Sequence, residues 1–516
     1  MRILFASPEV YPLAKTGGLA DVSAALAAEL SELGHDVRIV MPGYPAALDR
    51  AVAKHRVARL GSLGGIAEAS LVAGFLPDRM LPVWLVDCPE LFQRAGGPYG
   101  DAEGRDWPDN AERFALLCHA VARLALDAAG MTWRPDVVHG HDWHLGPAMA
   151  LIANHGEPRP ATVFTIHNLA FQGTFPVDMF PRLGLPSDTL SPEGLEFYGR
   201  LSFIKAGIRY ADRITTVSPS YAREILTPEF GCGLDGLLRA RAADLTGILN
   251  GVDYDTWSPD HDRDLPASFS KRDLSGKPKC KSALQSELEL EVSAAAPLIG
   301  YMSRLTEQKM ADLLPAVAPH ALAHGAQLAI VGEGDRAIEN ALGALPSAYE
   351  GRVAVRIGYE ESLARRLLAG ADMLLAPARW EPCGLTQMYA MRYGAVPIVR
   401  CVGGLGDTVI GAIFADDDGD AEATGFVFDD PSSAGLAAAI ANACTAFRRP
   451  LVWREMQLRA MAKDFGWARS ARRYDSLYRS LAPETAKDLA ATKHPAANEP
   501  LNEFDFNPLE ELRRIA

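Results

Sequence analysis

The sequence predicts an α/β protein of two domains, each built on a doubly wound parallel sheet. Three observations carry that prediction. Short apolar strands alternate with amphipathic helices through the first half, the alternation lapses over residues 258–296, and it then restarts. Arg2–Ala6 reads as the first strand, followed by the Gly17-Gly18 turn. Leu19, Val22, Leu26, Leu30 and Leu33 recur at helical spacing, and Gly34 ends that helix. Further strands are expected at Asp36–Met41, Val83–Asp87, Asp136–His139, Thr162–Ile166, Ile214–Val217 and Gly247–Leu249, with helices such as Arg113–Leu126 and Leu195–Ile208 between them. Strand–helix–strand succession implies right-handed crossovers and a parallel sheet.

The lapse between Ser258 and Ala296 is polar, with a lysine-rich patch at Lys271–Lys281. Strands resume at Leu298–Met302, Leu328–Val331, Val353–Ile357, Met373–Ala376 and Val396–Val399, which makes a second Rossmann-like unit. A helical pattern at Trp467–Leu481 comes last. The expected division is a first domain over 1–257 with a returning helix at about 465–481, a second over 258–464, and a mobile Ala/Pro-rich tail over 482–516. Ligands of such sheets bind at the carboxyl ends of the strands, here expected in a cleft between two facing domains.

Composition bounds the function. With 516 residues, 48% hydrophobic and 22% charged, the chain is globular and long enough for two cores. Its 51 Lys and Arg against 65 Asp and Glu give a net charge of −14, the wrong sign for a nucleic-acid binder. Seven cysteines without a CxxC pair form no disulfide framework, and neither a signal-type segment nor an apolar run of membrane-spanning length is evident. A cytoplasmic protein without a membrane partner is the expectation.

Four motifs fall at strand ends. Lys15-Thr16-Gly17-Gly18-Leu19-Ala20-Asp21 joins the first strand to the first helix, where glycines admit a ligand and helix N–H groups face an anion; it lacks the GxGxxG spacing of a dinucleotide site. His139-Gly140-His141-Asp142-Trp143-His144 resembles a zinc-hydrolase run, but Asp142 stands one place too early, so no metal is assigned. Ser303-Arg304-Leu305-Thr306-Glu307-Gln308-Lys309 supplies a guanidinium and an ammonium suited to a diphosphate. Glu381-Pro382-Cys383-Gly384-Leu385-Thr386-Gln387 offers an acid beside a helix start, with Cys383 read as a structural thiol because no histidine obviously pairs with it. Val402-Gly403-Gly404-Leu405-Gly406-Asp407 repeats that layout one strand later, with backbone amides available to phosphate.

Together with Asp109-Asn110, Arg113-Phe114-Ala115, His167-Asn168-Leu169-Ala170-Phe171-Gln172-Gly173, Gly194-Leu195-Glu196-Phe197 and Leu249-Asn250-Gly251-Val252-Asp253, these motifs resemble the bacterial glycogen synthases and plant starch synthases from Met1 to about Leu481. The resemblance implies the GT-B fold, with the last helix crossing back to the first domain. It also implies metal-free, cofactor-free transfer of glucose from ADP-glucose to the non-reducing end of an α-1,4-glucan, with retention of configuration. Carried over, His141, Arg304, Lys309 and Glu381 are the catalytic set. His141 bonds the donor glucose, at its 6-hydroxyl, and Arg304 and Lys309 hold the diphosphate. Lys15, Gly17, Gly18, Asp21, Asn250, Tyr359, Cys383, Gly384, Leu385, Gly403 and Gly404 bind substrate, with Tyr359 near adenine. Glu9, Tyr99 and Asn168 fall on the acceptor side. Tyr389 stands where many related enzymes carry the second acid of Glu-x7-Glu.

Three positions depart from the family pattern. Pro8 precedes Glu9 where proline is unusual, Met310 follows Lys309 in place of glycine, and Val402 replaces threonine. They leave open a non-catalytic glucan-binding homologue, and the residues do not separate ADP-glucose from UDP-glucose. A zinc hydrolase on His139, His141 and His144 is the third alternative.

Overall fold

The computed structural model describes residues 1–126, 129–412 and 422–481; the tail expected from 482 to 516 lies outside the described residues. The chain divides into two compact units. One holds Met1–Val217, Ala222–Ile248 and the helix Trp467–Leu481, and the other holds Ser218–Tyr221 and Leu249–Gly466. The residues from 249 to 257, counted with the first domain in the sequence reading, belong to the second unit. Trp257 shows why: its ring stacks on Tyr389 at 4.2 Å, and the Arg365 guanidinium lies 4.7 Å from its centre.

In the first unit the strands are β1 (Arg2–Ala6), β2 (Asp36–Pro42), β3 (Val52–Leu63), β4 (Ala67–Phe75), β5 (Pro82–Asp87), β6 (Val137–His141), β7 (Ala161–Ile166), β8 (Thr174–Pro176), β9 (Glu196–Phe197), β10 (Arg200–Ser202), β11 (Arg213–Thr216) and β12 (Leu245–Gly247). Among the described residues a nine-stranded sheet runs β12-β11-β7-β6-β1-β2-β5-β4-β3, parallel except for the antiparallel pairings of β4 with β3 and β5. β1 lies at the centre, with Phe5 opposite Ile39 of β2 on one side and His139 of β6 on the other. Its residues Ile3 to Ala6 are fully buried, as an apolar strand covered on both faces must be.

The β3–β4 hairpin escapes the sequence reading. β3 carries Lys54, His55, Arg56 and Arg59, and three register shifts break its alternation. The helix expected over Leu195–Ile208 is corrected in its first half. Tyr198 and Gly199 take φ of 49° and 77°, a turn that folds the segment into β9 and β10 beside β8. The helix begins at Phe203, where the Ser202 hydroxyl accepts the Lys205 N–H at 3.4 Å. Helix Trp467–Leu481 packs on helix Gly18–Glu32, and two bonds tie it down: His35 Nε2 to Asp475 at 2.9 Å and the Tyr478 hydroxyl to His139 Nδ1 at 2.8 Å.

The second unit contains β13 (Leu298–Met302), β14 (Gln327–Gly332), β15 (Val353–Ile357), β16 (Met373–Ala376), β17 (Val396–Arg400) and β18 (Phe426–Phe428). They pair in parallel in the order β15-β14-β13-β16-β17-β18, the 3-2-1-4-5-6 arrangement of a dinucleotide-type sheet. The lysine-rich stretch becomes the helix Lys277–Glu287. It is not a solvated patch. Lys277 is buried, and its ammonium donates to the carbonyls of Ala369, Ala371 and Tyr393 at 2.9–3.0 Å and to that of Leu368 at 3.5 Å. These carbonyls end the helices Glu361–Gly370 and Thr386–Arg392, so one cation satisfies groups that helix ends leave bare. Lys281 does the same for Ala294 and Ala296 and pairs with Asp372 at 2.7 Å.

Burial pulls the Lys277 pKa down to about 8, still charged at neutral pH. Lys277→Met leaves several buried carbonyls without a donor, and urea unfolding at pH 7 is expected to show a loss of at least ~3 kcal/mol. Lys279→Met, on an exposed position of the same helix, is expected to change stability by less than ~0.5 kcal/mol.

Candidate functional site

Each sheet has a switch point, where the chain leaves its central strand to opposite sides and the two following loops diverge. In the first unit this falls between β1 and β6, and in the second between β13 and β16. Most of the residues singled out in the sequence lie on loops at or next to these two points; Tyr359 does not.

After β1, Glu9 organises the loop. Its buried carboxylate accepts the N–H groups of Thr16 and, at 3.3 Å, of Gly17, and its other oxygen accepts the Tyr99 hydroxyl. Burial raises the Glu9 pKa, while these hydrogen bonds pull it back down. Glu9 and Tyr99 therefore brace the glycine turn, a role the sequence reading did not give them. Lys15, Thr16, Gly17 and Gly18 are exposed, and a Cβ built on Gly17 meets nothing within 4 Å. Lys15 pairs with Asp21 at 2.9 Å and sits 5.3 Å from the Tyr11 ring centre.

At the ends of β6 and β7 the imidazoles are buried and neutral. His139 bonds Thr165 Oγ1 at 2.6 Å through Nε2 and the Tyr478 hydroxyl through Nδ1. His141 is fully buried, its ring tilted against Phe5 at 4.2 Å and against His139 at 4.0 Å, with Nδ1 2.9 Å from His167 Nε2. His167, not His141, is the partly exposed member of that pair. The sequence reading quoted His167 without assigning it a task; its position immediately after β7 was the available signal. Burial lowers the pKa of His139 and of His167 to about 3, and drives those of His141 and His144 well down. Among the described residues no three His, Cys, Asp or Glu side chains are arranged to hold a metal ion. The zinc-hydrolase alternative thus has no ligand set there.

Asp142, next to His141, was also passed over. It holds φ 62° and ψ 179°, a region nearly reserved for glycine, at a cost of about 1–3 kcal/mol. Its carboxyl accepts the N–H groups of His167, Asn168 and Trp143, yet burial still pushes its pKa up to about 8. Asn168 closes an Asx turn, its Oδ1 accepting the Ala170 N–H at 3.1 Å.

In the second unit the loop after β13 is clamped to the loop after β16. Arg379 makes two 2.7 Å bonds to Asp312, its N–H donates to the Gln308 carbonyl at 2.8 Å, and Gln308 Nε2 reaches the Trp380 carbonyl at 3.2 Å. Across this clamp Lys309 Nζ and the Glu381 carboxylate form an ion pair, both side chains mostly buried. Arg304 lies exposed on the same loop as Lys309. Met310 takes φ 53°, a conformation that suits the glycine the family resemblance implies at this place, and its side chain joins the buried apolar cluster with Tyr301, Leu305 and Leu314.

The glycine loops after β16 and β17 interlock. A Cβ on Gly403 would stand 1.9 Å from the Glu381 carbonyl oxygen, and one on Gly404 2.1 Å from that of Cys383. The Gly404 N–H donates to the Glu381 carbonyl at 3.2 Å. That amide is therefore engaged in holding the two loops together, which corrects its expected availability to phosphate. Gln387, just past Gly384 and Leu385, ties the loops further: its Nε2 bonds the Cys383 and Gly384 carbonyls and Thr408 Oγ1 at 2.9–3.2 Å. Burial pushes the Cys383 thiol up to about 12, against an opposing hydrogen bond from the Asn250 backbone, so it is no nucleophile at neutral pH. Asn250 is buried, with Oδ1 lacking a partner among the described residues. Tyr359 stands apart from this cluster, half exposed after β15, two strands from β13.

Two doubly wound sheets in one chain are the architecture of the GT-B glycosyltransferases, and the comparisons with known proteins place the chain in that class. The starch synthase catalytic domain family model matches residues 2–240, and the model for glycosyl transferases group 1 matches residues 296–445. Glycogen synthases of Burkholderia thailandensis and Paramagnetospirillum magneticum are 53% and 52% identical, each over 93% of this chain and over 90% and 98% of their own. The solved catalytic domain of starch synthase IV from Arabidopsis thaliana, bound to ADP and acarbose, superposes with a TM-score of 0.84 at 31% identity, covering 94% of this chain and 99% of that one. Sucrose-phosphate synthase from Thermosynechococcus elongatus, at 17% identity and a TM-score of 0.58 over 95% of this chain and all of its own, shares the fold. The chain belongs to the glycogen synthase family. Among the described residues no helix is long and apolar enough to cross a membrane.

The buried imidazoles make stability depend on pH. A histidine whose folded pKa lies below its unfolded value takes up its proton more readily in the unfolded chain. Stability is therefore complete above pH 6.5 and falls as the pH drops toward 3. Asp142, with its raised pKa, opposes this slope between its ordinary value and about 8. The contribution of His139 is isolated by His139→Gln, whose amide can keep the bond to Thr165. Between pH 6.5 and 5, urea unfolding of the wild type is expected to lose about 2 kcal/mol more than that of the variant. Equal losses would contradict a neutral buried His139.

Proposed function

We propose that this chain transfers glucose from ADP-glucose to the non-reducing end of an α-1,4-glucan, with retention of configuration and without a metal. The observation that carries the reading is the Lys309–Glu381 ion pair at the switch point of the second sheet, with Arg304 on the adjoining loop. Breaking the C1–O bond of a sugar nucleotide leaves a cationic sugar and a diphosphate whose charge grows as it departs. An ammonium already fixed in place stabilises that charge without reorganising. The diphosphate competes with Glu381 for Lys309, and the carboxylate so released faces the positive charge developing on the sugar. Attack from the same face, with the departing diphosphate accepting the acceptor's proton, retains configuration.

The first unit supplies complementary chemistry. Its exposed Lys15–Gly18 turn leaves room at Gly17. Neutral imidazoles suit uncharged sugar hydroxyls, and His167 takes the sugar contact that the resemblance gave to His141, because His167 is the less buried member of the pair. The adenine nucleotide is favoured over uridine by the ADP in the solved starch synthase relative.

The test is chain extension of a maltooligosaccharide in the presence of a chelator, with ADP-glucose and UDP-glucose in competition and the anomer read by NMR. An α-1,4 product with preference for ADP-glucose is expected. Lys309→Ala and Glu381→Gln should each reduce kcat about 100- to 1,000-fold. Preference for UDP-glucose would replace the donor, an inverted linkage would overturn the mechanism, and binding without turnover would leave only a glucan-binding homologue.

A further inference from the structure

Neither backbone preference nor the core accounts for the ring of Tyr198. The strands β9 and β10 are joined by a two-residue turn, with Phe197 opposite Arg200 across it. Both turn residues have positive φ, 49° at Tyr198 and 77° at Gly199. Asn-Gly builds such a turn most easily, and a bulky aromatic residue is disfavoured at its first position. Burial offers no compensation. Tyr198 is 83% exposed, the highest value for a large hydrophobic side chain among the described residues.

The ring is nevertheless supported. Phe197 meets it edge-on, with centroids 4.8 Å apart and planes at 72°. Gly233 backs both rings: a Cβ there would stand 3.1 Å from Phe197 and 3.7 Å from Tyr198. The Glu196 carboxylate accepts the Gly199 N–H at 2.7 Å and so fixes the turn. The tip is also continuous with the candidate site. Strand β10 pairs with β8, which starts directly after the His167–Gly173 loop, and the Phe203 and Ile204 N–H groups donate to the Gly173 and Gln172 carbonyls at 3.1 Å. Arg200 lies opposite Pro176, so the tip stands at the far end of β8, about 10 Å along the strand from that loop.

We propose that Tyr198 is a remote contact for the α-1,4-glucan acceptor, its ring stacking on the C–H face of a glucose unit several places from the reacting end. The identity of the glucan rests on the function proposed above. The face of an aromatic ring is negative and the C–H face of a pyranose slightly positive, so the attraction needs no net charge. That suits a chain of net charge −14 and a neutral polymer. The exposed Thr174 and Arg200 stand on the paired strands beside the turn, within the same small sheet, as partners for sugar hydroxyls. A protein partner fits less well: a stable interface buries about 800 Å² on each side, and one hairpin tip presents a fraction of that.

The test compares glycogen with maltose, an acceptor that ends before the tip, using the full chain. Tyr198→Asn should raise KM for glycogen roughly fivefold, the loss of one stacking contact. Its kcat and its KM for maltose and for the nucleotide-glucose should stay within about twofold of the wild type. Tyr198→Phe, which keeps the ring, should keep the KM for glycogen. Because asparagine favours this turn, Tyr198→Asn should resist urea at least as well as the wild type, which separates binding from folding. In a native gel containing glycogen, the asparagine variant should be retarded less than the wild type, a readout that needs no turnover. Unchanged KM and retardation in Tyr198→Asn overturn the proposal. So does an equal rise in KM for maltose, which would put the ring at the reacting end, or a wild-type oligomer that the variant dissociates, which would make the tip an interface between copies. If the wild type transfers no glucose but the variant still loses retardation, the proposed function fails while the glucan contact stands.

Discussion

The right-handed crossover of parallel strands is the constraint on which the rest depends. In a chain that begins in the middle of a sheet and builds outward first on one side and then on the other, it puts the crossover helices of the two halves on opposite faces. The loops that follow the central strand and its later neighbour must part. β1 and β6 meet this condition in one unit, β13 and β16 in the other. What a sequence can do is choose the side chains at the parting. This chain places a carboxylate-braced glycine turn and clustered imidazoles at the first, and an ion pair at the second.

Holding those side chains still requires tight backbone packing, and the unusual residues follow from it. Gly403 and Gly404 lie against the carbonyls of Glu381 and Cys383 with no room for a Cβ. Their first task is to let the loops after β16 and β17 interlock, and Glu381 is positioned by its own carbonyl as much as by Lys309. Met310 shows the opposite compromise. A left-handed backbone disfavours methionine by about 1–2 kcal/mol, but removing a fully buried methionine side chain costs about 2–5 kcal/mol. Burial outweighs strain, which explains how the chain tolerates the departure from glycine. Asp142 has no such compensation in packing. Backbone N–H groups of the β6 and β7 loops, among them that of His167, favour its carboxylate form, but Oδ1 stays buried without a partner among the described residues.

The sequence reading caught the elements whose physics is local. Strands β13 to β17 of the second sheet were legible within one or two residues because each is an apolar run between turns, and the helix Trp467–Leu481 because its periodicity is clean; the three-residue β18 was not named, being too short to show a pattern. β3 and β4 were missed because bulges and charged residues erase the alternation on which strand recognition rests. The segment from 195 was misread because a two-residue turn at Tyr198-Gly199 leaves little trace in a periodicity. At the sites, Lys309 and Glu381 were legible as charges at strand ends. The burial of His141 behind His167 was not, because burial depends on which ring the fold sets in front. Lys277 was invisible for the same reason: nothing local says that four carbonyls from distant helix ends will meet one ammonium.

The two sites differ in kind, and the difference follows from dielectric. The imidazole cluster of the first unit is buried deeply enough that neutrality is cheaper than charge, so its rings interact through the direction of their hydrogen bonds and not through a formal charge. In the second unit Lys309 and Glu381 remain a pair, and an ion pair of this sort gains little net stability, since desolvation offsets attraction. Its value lies in readiness. The ammonium is already stripped of most of its water, and under the proposed function an incoming diphosphate would exchange one partner for a more highly charged one without rebuilding the site. Removal of the Glu381 charge alone would therefore strengthen anion binding in the ground state while weakening turnover. A residue that served only to stabilise the fold would lower both.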